Sequence, residues 1–306
     1  MSGILTGFAI IGVVVAVGWL AARLRLGGPD ARTTLNRIGF FVASPALLFT
    51  VVARADVGAL FQAPLLVQAA AAVGTAALFV VVNAVWLRRP AAEATIGAVG
   101  AGYVNANNIG LPVAVYVLDD ASAVVPVILL QLLVLAPVTL LVLDALTTGR
   151  VSVRFVLAQP VRNPIILGSL AGAVVSVAGW TPPDVVMAPL EILGGAAIPM
   201  ILLAFGMSLH GSRPLAAGSG RGTVLVAAAL KAVMMPVLAF VLARYAVGLD
   251  DAGVVTAVTL AALPTAQNVY NYAARFRTGE VLARDVILVT TLASPAVLVV
   301  ATLLLH

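Results

Sequence analysis

Windows of about twenty apolar residues succeed one another along almost the whole chain, and this succession all but dictates the class of fold. They lie near 4–22, 34–53, 62–86, 95–118, 122–146, 160–178, 184–209, 222–247, 252–275 and 280–305. Each can cross the hydrocarbon of a bilayer as a helix, the form that satisfies its own backbone hydrogen bonds in lipid. The alternative, a water-soluble globule, lacks the polar shell it would need: 9% of the 306 residues are charged, against about 25% in a soluble domain. The expectation is an all-α integral membrane protein with ten transmembrane helices, a single membrane domain over 1–306.

The net charge of +5 is a topology signal, because the basic residues sit in the short breaks between windows. Counting loops from the N-terminus, the odd ones hold Arg23, Arg25, Arg32, Arg37, Arg88, Arg89, Arg150, Arg154, Arg162, Arg213, Arg221, Arg275, Arg277 and Arg284, which is 14 of the 17 Lys and Arg. The even loops hold Arg54 and Arg244 alone, and Lys231 lies inside a window. Odd loops are therefore expected in the cytoplasm, both termini outside, and the chain in the cell (inner) membrane as a multi-pass protein. No nucleic-acid partner is expected. Met1 to Ala22 has no basic residue ahead of its apolar run and reads as a first span, not a cleaved leader. With no cysteine there is no disulfide, thiolate metal site or thiol chemistry, and no cofactor or metal is expected. The Asp119-Asp120 and Asp250-Asp251 pairs invite a metal reading, but Asp120 and Asp251 stand where spans five and nine begin and are expected as helix caps.

The second half of the chain echoes the first. Gly7 to Trp19 (GFAIIGVVVAVGW) aligns with Gly168 to Trp180 (GSLAGAVVSVAGW), and Pro45-Ala-Leu-Leu-Phe in span two echoes Pro199-Met-Ile-Leu-Leu in span seven. Five spans is an odd number, so two such halves must insert in opposite orientations. The expectation is two inverted five-helix repeats, 1–146 and 160–305.

Spans four and nine carry matched polar interruptions. Span four reads GAGYVNANNIGLPVAVYVL, with Asn105, Asn107, Asn108, Gly110 and Pro112 in mid-span, and span nine reads LAALPTAQNVYNYAARF, with Pro264, Thr265, Gln267 and Asn268 at matching depth. An unpaired amide in hydrocarbon costs several kcal/mol, so these groups face protein or a wet cavity. Pro112 frees a carbonyl one turn earlier, and a break near Asn108 is expected. A proline kink with polar helix packing is the plain reading of one such span. Two matched spans favour broken, crossing helices four and nine around a substrate. Half-helices starting near Pro112 and Pro264 would aim N–H groups at the centre and favour an anion. Lys231, deep in span eight, joins the candidate substrate-binding residues, with snorkelling as its alternative, and Gln131 in span five is a weaker member. No carboxylate falls clearly at mid-depth, which argues against a relay built on Asp or Glu.

Enzyme readings lack parts. There is no HExxH, His210 and His306 are the only histidines, and His210 is too close to Ser208 to act as a dyad partner from another helix. No catalytic residue is expected. The pairs Gly3/Gly7 and Gly168/Gly172 suggest close helix packing.

Span four resembles the NxGxxGxP signature of the auxin efflux carrier family through Asn105, Gly110 and Pro112. Span nine resembles that family's PTATN-like segment through Pro264, Thr265, Ala266 and Asn268. Pro45 with its following apolar run, Asn163-Pro164, Ala197-Ile-Pro199, and Lys231 with Pro236 also look like family positions, while Asn107 and Gln267 depart from the pattern. The resemblance implies a fold similar to bile acid/sodium symporters. It implies a mobile core around spans four and nine, working as an elevator, and a scaffold of spans one, two, six and seven that often forms a homodimer. It also implies transport of organic carboxylates. The expected function is a carrier of small organic anions by alternating access. A sodium- or proton-coupled symporter of similar fold is one alternative, and a non-transporting receptor or enzyme is another.

Overall fold

The computed structural model describes residues 2–55, 63–148, 163–211, 215 and 220–305. Asp56, Arg150, Arg154, Arg162, Arg213 and His306 lie outside the described residues. The helices in chain order are α1 (Ser2–Arg23), α2 (Ala31–Ile38), α3 (Ser44–Arg54), α4 (Ala63–Val82), α5 (Ala91–Gly102), α6 (Leu111–Tyr116), α7 (Val125–Leu130) and α8 (Ala136–Thr148). They continue as α9 (Pro164–Val177), α10 (Asp184–Gly195), α11 (Ala197–Leu209), α12 (Arg221–Ala229), α13 (Met235–Val241), α14 (Asp251–Ala261), α15 (Asn268–Phe276) and α16 (Glu280–Leu305). The described residues contain no strand, and six helical runs are long and apolar enough to cross a membrane: Ala31–Arg54, Pro64–Leu87, Ala121–Thr147, Asp184–Leu209, Arg221–Val247 and Glu280–Ala301. Shorter apolar helices run over Ala9–Arg23, Pro164–Val177 and Asp251–Ala261.

Several of these runs pass through a wide helical turn, and proline explains where. Gly39–Ala43, Ala106–Gly110, Gln131–Leu135 and Leu230–Met234 are each one wide turn, followed two residues on by Pro45, Pro112, Pro137 and Pro236. Proline has no N–H for the carbonyl four residues back, and its ring crowds that carbonyl, so the preceding turn opens. Aspartate caps close other ends. Asp120 accepts from Ser122 N–H at 2.9 Å, as expected, whereas the cap of α14 is Asp250, which accepts from Gly253 N–H at 2.9 Å. Asp251 instead pairs with Arg244 at 2.8 Å.

The chain forms two compact units interleaved in sequence. The first comprises Met1–Gln62, Asn107–Leu129 and Ala158–Ser212. In it α3 packs along α9 and α1 along α11. These are backbone-close contacts: a side chain at Gly168 or Gly172 would meet the α3 backbone, and one at Gly206 would meet Val15 and Trp19 of α1. Arg54 and Glu191 form an exposed ion pair across α3 and α10.

The second unit comprises Ala63–Ala106, Leu130–Leu157 and Arg213–His306. One cluster joins Phe79 of α4, Ala98 and Ala101 of α5, Val224 and Ala227 of α12, and Leu282 and Val286 of α16. Another joins Ile96, Tyr103, Leu143, Val269, Ala273 and Ala283. Both units leave large apolar side chains outside, among them Trp86, Val177, Val185, Ile192 and Tyr245, each more than half exposed. Such surface is stable against hydrocarbon and not against water.

Candidate functional site: two unwound segments paired by their backbones

Helix α5 stops at Gly102, and Tyr103 leaves it in extended conformation. The break in span four therefore lies at Tyr103–Asn105, ahead of the expected position near Asn108, which instead falls in the wide turn Ala106–Gly110. Helix α14 stops at Ala261, and α15 starts at Asn268. Pro264 is thus inside the unwound segment and does not open the second half-helix.

These two segments, both in the second unit, pair main chain to main chain. Val104 and Thr265 form an isolated antiparallel bridge. The Asn105 N–H donates to the Pro264 carbonyl at 2.8 Å, and the Ala266 N–H to the Tyr103 carbonyl at 3.2 Å. Each helix end has carbonyls without helical partners, and buried carbonyls need donors. Side chains donate to some of these carbonyls and to others beside them. The Thr265 hydroxyl donates to Gly100 O at 2.7 Å, and Gln131 Nε2 to Val104 O at 2.8 Å. On the α14 side, Lys231 Nζ donates to Ala261 O at 2.7 Å, and Gln68 Nε2 to Ala257 O at 2.5 Å. The Thr265 N–H in turn donates to Thr290 Oγ1 at 3.1 Å.

Gln131 and Lys231 both lie in wide turns, which re-aim a side chain inward. Lys231 is fully buried, with Met235 Sδ at 3.2 Å as its second contact, so it does not snorkel. An ammonium at the C-terminal end of α14 is also favoured by the helix dipole. The Tyr103 hydroxyl donates to Gln131 O at 3.1 Å and faces Asn268 and Tyr272, the latter in an edge contact with ring centroids 6.2 Å apart. Asn105 is buried, Asn268 is partly exposed, and Gln267 is exposed.

The remaining candidates, Asn107, Asn108, Gly110 and Pro112, belong to the first unit. There Asn107 Nδ2 donates to Asn108 Oδ1 at 3.0 Å, while Asn107 Oδ1 is a buried acceptor without a protein donor. Gly110 and Pro112 are buried at the start of α6. The structure adds Gln68, Tyr103 and Thr290, which sequence reasoning misses. Gln68 stands out as an amide about a turn and a half inside an apolar window that has its other amides, Gln62 and Asn83, at or near its ends; Thr290 gives no comparable signal. It also adds Asp285, which is fully buried on α16, bonded to Arg284 Nε at 2.8 Å through Oδ1 and without a partner at Oδ2.

Two helices interrupted at paired extended segments, in a chain otherwise built to sit in lipid, are the construction of a solute carrier. The profile of the family described as "Membrane transport protein" matches residues 4–302. The chain belongs to this membrane transport family, the one that includes the auxin efflux carriers. It is 30% identical over 294 residues to a Rhizobium meliloti (strain 1021) protein named "Putative malonate transporter", covering 92% of this chain and 90% of that one. It is 27% identical over 201 residues to a Methanothermobacter thermautotrophicus protein named "Uncharacterized transporter", covering 65% of each. This family member is accordingly a multi-pass membrane transporter.

Proposed function

We propose that this transporter carries small organic anions, dicarboxylates of malonate size first among them, by alternating access with substrate held at the paired segments. The observation that carries the reading is the backbone pairing of Val104 with Thr265. It holds two helix breaks side by side and leaves Asn105, Gln267 and Asn268 around them, with the N-terminus of α15 at the same place. Amide side chains and helix N-terminal N–H groups are ligands for carboxylate oxygens. Lys231 adds a buried cation, and no acidic side chain pairs with it among the described residues. The name of the Rhizobium relative supports malonate as the first compound to try.

In this reading the ten spans form two inverted halves, 1–146 and 160–305. Spans four and nine, with the paired segments, belong to the mobile core that moves as the elevator, and spans one, two, six and seven are the scaffold and homodimer contact. Odd loops and their arginines face the cytoplasm of the cell (inner) membrane, with both termini outside. Asn107, Asn108, Gly110 and Pro112, from the later half of span four, belong to the substrate-binding set, and Gln131 and Pro264 hold its geometry. Uptake of labelled malonate into proteoliposomes, saturable and competed by other dicarboxylates, is the expected result. A panel of carboxylates that neither crosses nor shifts the melting temperature overturns the reading.

Asp285 favours a second reading, a cation-coupled carrier, because a buried carboxylate oxygen without a protein donor can take a proton or a cation. Flux that follows an imposed sodium or proton gradient, and loses that dependence in Asp285→Asn, selects it over uniport.

A further inference from the structure

Helix α15 is the second half of span nine, and its exposed face differs from the lipid-facing helices of the second unit. Its exposed positions are Asn271 and Arg275, continuing the line of exposed Gln267 just before it. These three recur at every fourth residue and fall within about 80° of one helical face. Val269 and Ala273 on the opposite face are buried. Elsewhere in the unit the middles of the long helical runs expose apolar side chains, as at Val237, Val241, Leu292 and Val300, and exposed charges such as Arg221, Arg244 and Arg284 lie toward their ends. An exposed amide, amide and guanidinium in a row cannot rest against hydrocarbon, so the stripe meets water. From Gln267 to Arg275 it is about 12 Å long at the helical rise, close to half the thickness of the hydrocarbon.

We propose that the stripe Gln267–Asn271–Arg275 is the wall of an aqueous route along which the anion travels between the paired segments and the Arg275–Arg284 end of the unit, with Arg275 as an anion station. The proposal rests on the carrier reading and extends it from a binding point to a path. Arg275 lies in the last turn of α15, where a cation also complements the helix dipole, and its guanidinium stacks on Phe276 at 5.5 Å. The dipole accounts for a cation at that position. It does not account for Gln267 and Asn271 being exposed above it. After its paired segment the other broken span carries its amides at Asn107 and Asn108 alone, and α6 (Leu111–Tyr116) beyond them contains no charged or amide residue.

The test uses the absence of native cysteine in the full chain. Asn271→Cys, with Ala274→Cys on the flank of the stripe as a second probe, is placed in membranes beside Leu292→Cys as the lipid-facing control. Anionic sulfonatoethyl and cationic trimethylammonioethyl methanethiosulfonates are applied, each rate divided by that of a free thiol in solution. The expected result is rapid labelling of the stripe and not of Leu292→Cys, with the anionic reagent favoured about tenfold, and that preference lost when Arg275→Gln is added. Labelling as slow as Leu292→Cys at both probes overturns the aqueous wall. Rapid labelling with no charge preference, or a preference unchanged by Arg275→Gln, overturns the anion station. Labelling requires no flux, so its failure is distinct from a failure of malonate uptake.

Discussion

Lys231 joins an observed role in the fold to the role in cargo binding proposed for it. Its ammonium holds the last carbonyl of α14, Ala261 O, at 2.7 Å. Leaving that carbonyl without a donor in a buried place costs about 1 to 3 kcal/mol. Lys231→Met should therefore melt several degrees below wild type in detergent, and Lys231→Gln, which keeps a donor, should recover part of the loss; equal melting temperatures for all three would deny the bond any weight. The charge is a separate matter. In ligand-binding measurements Lys231→Met should weaken malonate roughly five- to a hundredfold and its neutral diamide less, the difference expected of a charge-assisted contact or field. Asn105→Ala and Asn268→Ala are each expected to abolish uptake while leaving a folded, monodisperse protein, since one lies in the paired segment and the other opens α15 beside Tyr103. Wild-type uptake in both would reduce the break to helix packing.

At the level of elements, helix contacts in the first unit depend on the absence of side chains. Gly206→Ala would drive a Cβ into the backbone of Val15, whereas a methyl group at Gly12, on the same helix as Val15, would meet nothing within 4 Å. Gly206→Ala should be destabilised by a few kcal/mol in thermal unfolding, about the range of overpacking, and Gly12→Ala should be neutral or gain up to about 1 kcal/mol from helix propensity. If both behave alike, α1 and α11 are not in backbone contact. The same contrast explains what can be foreseen. Gly168/Gly172 read correctly as a packing surface because small residues at that spacing have one dominant use in apolar helices. The interruption in span nine is legible from Pro264 and its polar neighbours, but the break in span four comes earlier than its proline suggests, because proline widens the turn before it without unwinding it. Pairing of Val104 with Thr265 has no sequence signal at all, since main-chain partners are identical for every residue type. Asp285 escapes notice because a charge beside Arg284 near a helix start looks interfacial until its burial is seen.

For the whole molecule, the placement of arginines is the quantity most open to direct measurement. Single cysteines at Ser2, Ser122 and Thr148 should divide cleanly: an impermeant thiol reagent applied to intact cells is expected to reach the first two and spare the third. The opposite pattern would invert the topology. The membrane class can be seen from composition and periodicity alone, and six of the ten apolar windows hold helical runs long enough to cross a bilayer among the described residues. The interleaving of two compact units cannot be seen that way, because it depends on which helices touch. The backbone bridge at Val104 and Thr265 has a consequence for how such a carrier changes over time. A joint made from N–H and C=O groups survives almost any replacement of the residues around it, so on the proposed route the outward amides at Gln267 and Asn271 are free to drift toward a new solute while the paired segments keep their form.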